Sequence, residues 1–465
     1  MRAYLLVAYS TPERDIMNIC VNTQTPLIRF LTSSPELVEK YGELPEKIDL
    51  SLLEEGVDYV FSPGGVTAMV YPSLKRMKSL GISQKELWIA LSPGAPTALT
   101  GDGIDFLNID LERGAAEAYV RFKDRLWNEI HGLEKLSFVP REYLAFSQYG
   151  WKTADLMLKT LGEYDIYYVH DFQQLQVGNF IGPFAPAVFR WHIPANFDAL
   201  SPKVRKYIVH NMEAFDAIIV STKRDLEGLF RAGYRGEAYQ VYPHIDGEKL
   251  GQPRKSDISS FYEKTGLKEG ERFFLTVARM DPIKSQDVVI RAMRHLKNTH
   301  PDVKLVLIGN GSFSGSMKSG LGSSKAGTWR KGLLQMISEY GLENNVLLTG
   351  HAGDDILTAA YSLCEAHVLP SSVEGFGLVT PECWHFKRPV IVSSGCGSSE
   401  MVMDGLNGYT FAKGDDADLA EKMRLLLKSG GEEMGRMGYE SGRQCETDVA
   451  LKREMEIFEK IISLY

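Results

Sequence analysis

Cysteine is scarce in this sequence. The five cysteines (Cys20, Cys364, Cys383, Cys396 and Cys445) are scattered through 465 residues, odd in number and without a Cys-x-x-Cys pair. That excludes a disulfide framework and a cysteine-based zinc site, and leaves reduced thiols that mostly fill a core. Long apolar runs are missing as well. No segment approaches 18 uncharged apolar residues, and the opening stretch MRAYLLVAYSTPERD holds an apolar run of only about seven. Neither a membrane-spanning helix nor a secretory leader is expected, and the chain reads as cytoplasmic. Positive charge is in deficit: the net charge is -8, which argues against general binding to nucleic acid or an anionic membrane. There is no HExxH and no Cys/His cluster, and the ten histidines are dispersed. Asp416-Ala417-Asp418 stands where a helix should begin and reads as an N-cap with first-turn acids, so no bound metal is expected.

What is present is an alternation of short β-branched or aromatic runs with helical patterns, the mark of parallel α/β sheets. The expected strands are 58–63, 87–92, 164–171, 186–193 and 216–222 in the first half. Those of the second half are 273–279, 304–310, 345–350, 365–371 and 389–394. At 465 residues the chain is too long for one compact domain. Two doubly wound domains are expected, 56–245 and 246–445, with the break inside the Gly-, Pro- and charge-rich 242–257. Residues 1–55 do not follow the βα rhythm and read as an appendage of hairpin strands and a short helix. The last segment, 446–465, reads as a helix with apolar Leu451, Met455, Phe458, Ile461 and Ile462, placed to cross back onto the first domain. Between Gly311 and Trp329, eleven of nineteen residues are Gly or Ser, read as a mobile insertion or a loop ordered by ligand.

Four stretches carry chemistry. In SSVEGFGLVTPECWHF (371–386), a strand enters a glycine turn and then a helix. Glycines admit close backbone approach, and the N–H groups at a helix start attract anions. Glu374 and Glu382 then bracket one bound molecule, each carboxylate able to accept from two vicinal hydroxyls. Singly, Glu382 reads as a helix-dipole partner and Glu374 as a surface charge. Together, in this setting, they favour a site. In TVARMDPIKSQD (276–287), Arg279 and Lys284 stand at a strand's carboxyl end, where ligands of open α/β sheets bind and where two cations suit a diphosphate. The alternative is a surface pair of Arg279 with Asp281 or Asp287. In FSPGGVTAMVYPSLKRMKSLG (61–81), Gly64-Gly65 opens a helix in a βα loop suited to anions. It is neither GxGxxG nor GxxxxGK[ST], which weakens a nicotinamide or P-loop reading. In YYVHDFQQLQVG (167–178), His170 and Asp171 end a buried strand, a position open to a structural or a functional histidine.

These stretches carry a resemblance. EGFGLVTPE (374–382) resembles the E-x7-E motif of the retaining glycosyltransferases of family 4. ARMDPIKS (278–285) is similar to that family's Arg…Lys diphosphate clamp, and DGLNGYTF (404–411) to its usual strand after a Gly-rich loop. SPGGVTAMVYPSLKRMKSLG and YVHDFQ are similar to parts of the trehalose-forming synthases, and WHIPANFDALS (191–201) to the HIP segment of trehalose-6-phosphate synthases. The resemblance implies the GT-B fold, two Rossmann-like domains facing across a cleft.

It also implies transfer of a hexosyl group, with retention, from a nucleotide diphosphate sugar to a sugar or sugar-phosphate acceptor. Trehalose from glucose, or trehalose 6-phosphate from glucose 6-phosphate, is the expected product. Arg279 and Lys284 would neutralise the leaving diphosphate, Glu382 hold the ribose and Glu374 the donor hexose. The amides of Gly375, Phe376, Gly377 and Leu378 would touch sugar and phosphates, and Gly64 and Gly65 would meet the donor from the first domain. His170 would stand near the reacting carbon, with Asp171 orienting it or the acceptor. No cofactor is implied, since the nucleotide sugar is a substrate. A phosphorylated acceptor would have Arg190, Lys203, Arg205 and Lys206 to meet it, residues that read equally as helix-surface charges. A nucleotide-sugar 2-epimerase and a non-catalytic sugar-binding protein are the rival readings.

Overall fold

In the computed structural model, which describes residues 16–61, 64–247, 249–309 and 321–465, the strands fall in two main sheets. In chain order the first half contributes β1 (Met17–Thr23), β2 (Ile28–Phe30), β3 (Lys47–Asp49), β4 (Tyr59–Phe61), β5 (Ser83–Leu91), β6 (Ala98–Gly101), β7 (Ile104–Ile109), β8 (Ile166–His170), β9 (Ala187–Arg190), β10 (Ala217–Val220) and β11 (Glu237–Gln240). The second half contributes β12 (Phe273–Val277), β13 (Lys304–Ile308), β14 (Val346–Gly350), β15 (Ala366–Leu369), β16 (Val390–Ser393) and β17 (Gly408–Phe411).

The first sheet has nine strands in the order β11-β10-β9-β8-β1-β5-β7-β6-β3. Its pairings are parallel except for β6 against β7. The second has six, β14-β13-β12-β15-β16-β17, all parallel. Counted within that domain, the order is third, second, first, fourth, fifth, sixth, that of a doubly wound Rossmann sheet. Strands covered by helices on both faces read as continuous apolar runs, and FFLTV, KLVLI and VIVS are such runs.

Two expectations need correction. Residues 16–55 are not an appendage: β1 lies inside the first sheet, parallel to β5 on one side and β8 on the other. The long excursion between β1 and β5 hid the βα rhythm. The expected strand 58–63 does not join that sheet either. Its core, β4, pairs antiparallel with β2 in a separate two-stranded ribbon. Of the Gly/Ser-rich stretch, residues 311–320 lie outside the described residues, and helix Leu321–Glu339 begins directly after them. At the Asp-x-Asp, the cap is Asp415, which accepts from the N–H groups of Ala417 and Asp418, while Asp416 and Asp418 fill the first turn.

The last helix, Thr447–Ile462, packs Ala450, Leu451, Met455, Ile457, Phe458 and Ile461 into the first domain's core against Ile19, Val21 and Met69. Arg76 and Asp448 pair at 2.6 Å beside it, and Thr447 Oγ1 donates to the carbonyl of Ile245 at 2.9 Å. All five cysteines are buried and free. Among the described residues, no helix is long and apolar enough to cross a membrane.

Candidate active site

The second sheet reverses its order between β12 and β15, and ligands of such sheets bind outside the carboxyl ends at that point. Both polar segments emerge there. After β12, Asp281 Oδ1 accepts from the N–H of Ile283 at 3.1 Å and caps a short 3-10 turn, Pro282–Lys284. The turn directs Lys284 across to the segment after β15, where its ammonium pairs with the Glu374 carboxylate. Ser371 Oγ donates to the same carboxylate oxygen at 3.2 Å. Burial pushes the Glu374 carboxyl up, but Lys284, Ser371 and Arg279 together bring it below its ordinary value. Arg279 is exposed and has no ion-pair partner among the described residues, so neither Asp281 nor Asp287 takes it.

The turn after Glu374 needs its glycines. A Cβ on Gly375 would overlap the carbonyl oxygen of His192 in the first domain, and Gly377 has φ +101°. The N–H groups of Gly375, Phe376, Gly377 and Leu378 have no acceptor among the described residues. Phe376 itself is buried on Tyr242, ring centroids 5.6 Å apart. Glu382 stands in the first turn of helix Val379–His385 and accepts from Tyr361 OH at 2.7 Å. Burial raises its carboxyl above the ordinary value, and the tyrosine opposes that only in part.

Across the cleft, the first sheet reverses at β1, and β8 ends there with His170. Asp171 follows at φ +70°, a left-handed conformation that costs a non-glycine residue energy and is retained mainly where structure imposes it. Burial pushes its carboxyl up to about 6, against backbone N–H bonds from Phe172 and His192 and a side-chain bond from Gln173. His170 is buried, 1% exposed, and its Nε2 has no partner among the described residues. Its Nδ1 is 2.9 Å from Nε2 of His192, a half-buried residue whose ring stacks on that of His170 at 5.2 Å. Of the two imidazoles His192 is the more exposed. His192 lies in the HIP-like segment, residues 191–201.

His131 was missed. It follows helix Arg113–Ile130, lies on the Trp127 ring at 3.8 Å and bonds through Nδ1 to the Trp127 carbonyl at 2.8 Å. The charges acting on its imidazole are Glu374, Lys284 and Arg279, and burial above all holds it below its ordinary pKa.

Gly64 and Gly65 do open a helix, Val66–Ser79, with Gly65 at φ +57°. The Gly64 N–H is already taken by Thr67 Oγ1 at 2.8 Å, however, and a Cβ on either glycine would meet nothing within 4 Å. Arg190 is buried in the core and paired with Glu454, while Lys203 and Lys206 sit on an exposed helix face as surface charges do.

The domains are latched beside this site. Glu400 of the second domain accepts from the N–H groups of Lys223 at 3.0 Å and Arg224 at 3.3 Å, the start of helix Lys223–Arg231, and from Tyr242 OH at 2.9 Å. A carboxylate at a helix N-terminus is favourably placed. Among the described residues, no group of three or more His, Cys, Asp or Glu converges as a metal site would.

Residues 257–444 match the family model "Glycosyl transferases group 1", and residues 112–226 match "Trehalose synthase, N-terminal domain". A D-inositol 3-phosphate glycosyltransferase of Mycobacterium marinum is 27% identical over 277 residues, 55% of this chain and 54% of the relative. Its counterpart in Nocardia farcinica is 25% identical over 288 residues, 57% and 59% of the two chains. The chain thus spans little more than half the length of these curated relatives. Among solved structures, a trehalose-6-phosphate synthase superposes with a TM-score of 0.74 at 13% identity over 95% of this chain and 99% of the other. The UDP-forming α,α-trehalose-phosphate synthase of Burkholderia xenovorans, in complex with glucose-6-phosphate, gives 0.73 at 14% identity over 95% and 100%. Anabaena HepE in complex with UDP gives 0.65 at 17% identity over 96% and 100%. The second domain thus resembles the group 1 glycosyltransferases over residues 257–444 and the first the trehalose synthase N-terminal domain over 112–226, and the whole chain shares the fold of these solved structures, two Rossmann-like domains.

Proposed function

We propose that the chain is a retaining hexosyltransferase that moves a glucosyl group from a nucleotide diphosphate sugar to glucose or glucose 6-phosphate, forming trehalose or trehalose 6-phosphate. The observation that carries this reading is the convergence of Arg279, Lys284 and Glu374 at the switch point of the second sheet, where Gly375 touches the His192 segment of the first domain. A diphosphate brings two or more negative charges, and Arg279 and Lys284 answer them without a metal. Each such well-placed group is worth about 3–4 kcal/mol as charge develops on the leaving oxygen.

In this reading Lys284 exchanges part of its pairing with Glu374 for the diphosphate, and Glu374 turns to the donor hexose hydroxyls. Glu382 holds the ribose, with Tyr361 orienting it. The free amides of residues 375–378 face sugar and phosphate. His192 bonds a donor hydroxyl, and Asp171 orients the attacking acceptor hydroxyl. That hydroxyl attacks C1 from the face the diphosphate leaves. The C1–O bond to phosphate breaks as the new C1–O bond forms, and the departing phosphate oxygen takes the hydroxyl proton. No cofactor takes part, and reduced cysteines with a nucleotide-sugar substrate fit a cytoplasmic enzyme.

The test is a product assay on purified protein with ADP-, UDP- or GDP-glucose and glucose or glucose 6-phosphate, following nucleotide release and reading the linkage by NMR. An α,α-linked disaccharide is the expected product. The names of the curated relatives favour a second acceptor class, an inositol phosphate, which belongs in the same assay. No turnover with any donor overturns the transferase reading in favour of a non-catalytic sugar-binding protein.

A further inference from the structure

We infer that the chain forms a two-fold dimer through helix Pro140–Lys159 of the first domain, each copy seating its Trp151 in a groove of the other. The face uses none of the candidate active-site residues, so the inference goes beyond the function proposed above and does not depend on it.

The helix turns one side inward, where Phe146, Tyr149, Ala154 and Met157 join the first domain's core. Its outward stripe is Arg141, Leu144, Gln148, Trp151, Asp155 and Leu158, at helical spacing. A helix that met only water there would be polar along the whole stripe. Instead Leu144 is 66% exposed, Trp151 55% and Leu158 39%, each seven residues from the next. Phe180 adjoins them, 3.4 Å from where a Cβ on Gly150 would stand, and is itself exposed. One exposed leucine needs no explanation, but aliphatic and aromatic side chains continuous along one face mark an interaction surface.

The occupant is a second copy, because the face complements itself. Beside the stripe a groove runs between this helix and helix Arg113–Ile130, floored by the small Gly114, Ala115, Ala118 and Ala145 and edged by Leu144 and Gln148. Trp151 stands two turns further along the same helix than Ala145, a rise of about 9 Å. A two-fold axis through Gln148, normal to the helix, runs the helix antiparallel to its copy. Residues equally far from Gln148 then face each other. Trp151 meets Ala145 and fills the groove of the partner, whose own tryptophan fills this one, as an isologous contact requires. The same axis sets Arg141 against Asp155, and Leu158 against Phe138, which is exposed just before the helix. Asp155 also holds Lys159 of its own chain at 2.7 Å, so the cross-pair fixes register more than it adds affinity. A side chain on the axis faces itself, and a charge there would repel its copy. Gln148 is neutral, and its amide both donates and accepts. One rotation thus matches knob with hole, cation with anion, and apolar with apolar.

Sedimentation velocity of the full chain at micromolar concentrations reads the state directly. A dimer is expected for the wild type. Trp151→Ala, which removes a central aromatic anchor twice per dimer, is expected to raise the dissociation constant about 100-fold. Because Trp151 is exposed, that variant should keep the wild-type circular dichroism. Arg141→Asp and Asp155→Arg are each expected to weaken the dimer about tenfold, and the double variant, which exchanges the charges, to recover most of that loss. A wild type that stays monomeric overturns the inference and leaves the face to a different protein. A dimer indifferent to Trp151→Ala uses another face and also overturns it. Charge variants that do not rescue each other overturn the axis through Gln148. No substrate enters these measurements, so their outcome is separate from that of the product assay.

Discussion

Lys284 and Glu374, 90 residues apart in sequence, meet as an ion pair at the point where the second sheet changes direction. The pair neutralises two charges that a bound donor must separate, the ammonium toward phosphate and the carboxylate toward hydroxyls. Its two members stand at the carboxyl ends of neighbouring parallel strands, β12 and β15. Glu374→Ala leaves the ammonium free for the diphosphate. Nucleotide binding, measured by calorimetry, is expected to hold within about threefold while transfer falls about 100- to 1,000-fold. Equal losses in both would place Glu374 in binding alone.

Asp171 makes activity depend on pH in a stated direction. Burial pushes its carboxyl up to about 6, so it is ionised above that pH and neutral below. If the carboxylate orients the acceptor, kcat/KM falls about tenfold per unit as pH drops through 6. Stability moves the other way. A carboxyl whose folded pKa lies above the unfolded value of about 3.9 destabilises the fold when ionised, so acidification through 6 relieves that penalty. Activity lost at pH 5 with an unchanged or raised Tm is the expected combination. An Asp171→Asn variant that kept the same acid limb would assign it elsewhere.

Gly375→Ala tests the contact between domains. The added methyl overlaps the His192 carbonyl oxygen, so either the domains part or the turn shifts. Transfer is expected to fall about 100-fold, since a misplacement near 1 Å costs that much. Nucleotide affinity of the second domain should change far less. A variant with wild-type transfer would show that the contact is not kept during turnover.

Glu454→Gln leaves the Arg190 guanidinium buried without its counter-charge. Breaking one side of a buried pair costs about 3–5 kcal/mol, which denaturant unfolding monitored by circular dichroism would measure. Phe458→Ala, on the same helix and buried against Tyr168 with ring centroids 4.9 Å apart, is expected to cost a similar about 3–5 kcal/mol through its cavity. A loss under 1 kcal/mol for Glu454→Gln would mean that the pair is replaced by water or a neighbour.

Much of this molecule was determined by sequence alone. The parallel strands of the second domain are short apolar runs because both faces are covered, and such runs survive without tertiary context. The Glu374 and Glu382 spacing, the two cations after β12 and the apolar stripe of the last helix are likewise local, set by turns and by helical period. Only the tertiary structure placed β1 between β5 and β8, because strand order depends on pairing across a long excursion. It also brought two histidines together. His170 ends β8 and His192 follows β9, and the pairing of His170 with Arg190 in those strands brings the two imidazoles to 2.9 Å. Arg190 and Glu454, 264 residues apart, meet for the same reason. Which buried charges and rings come together is decided by how helices and sheets close on one another, and no local pattern encodes that closure.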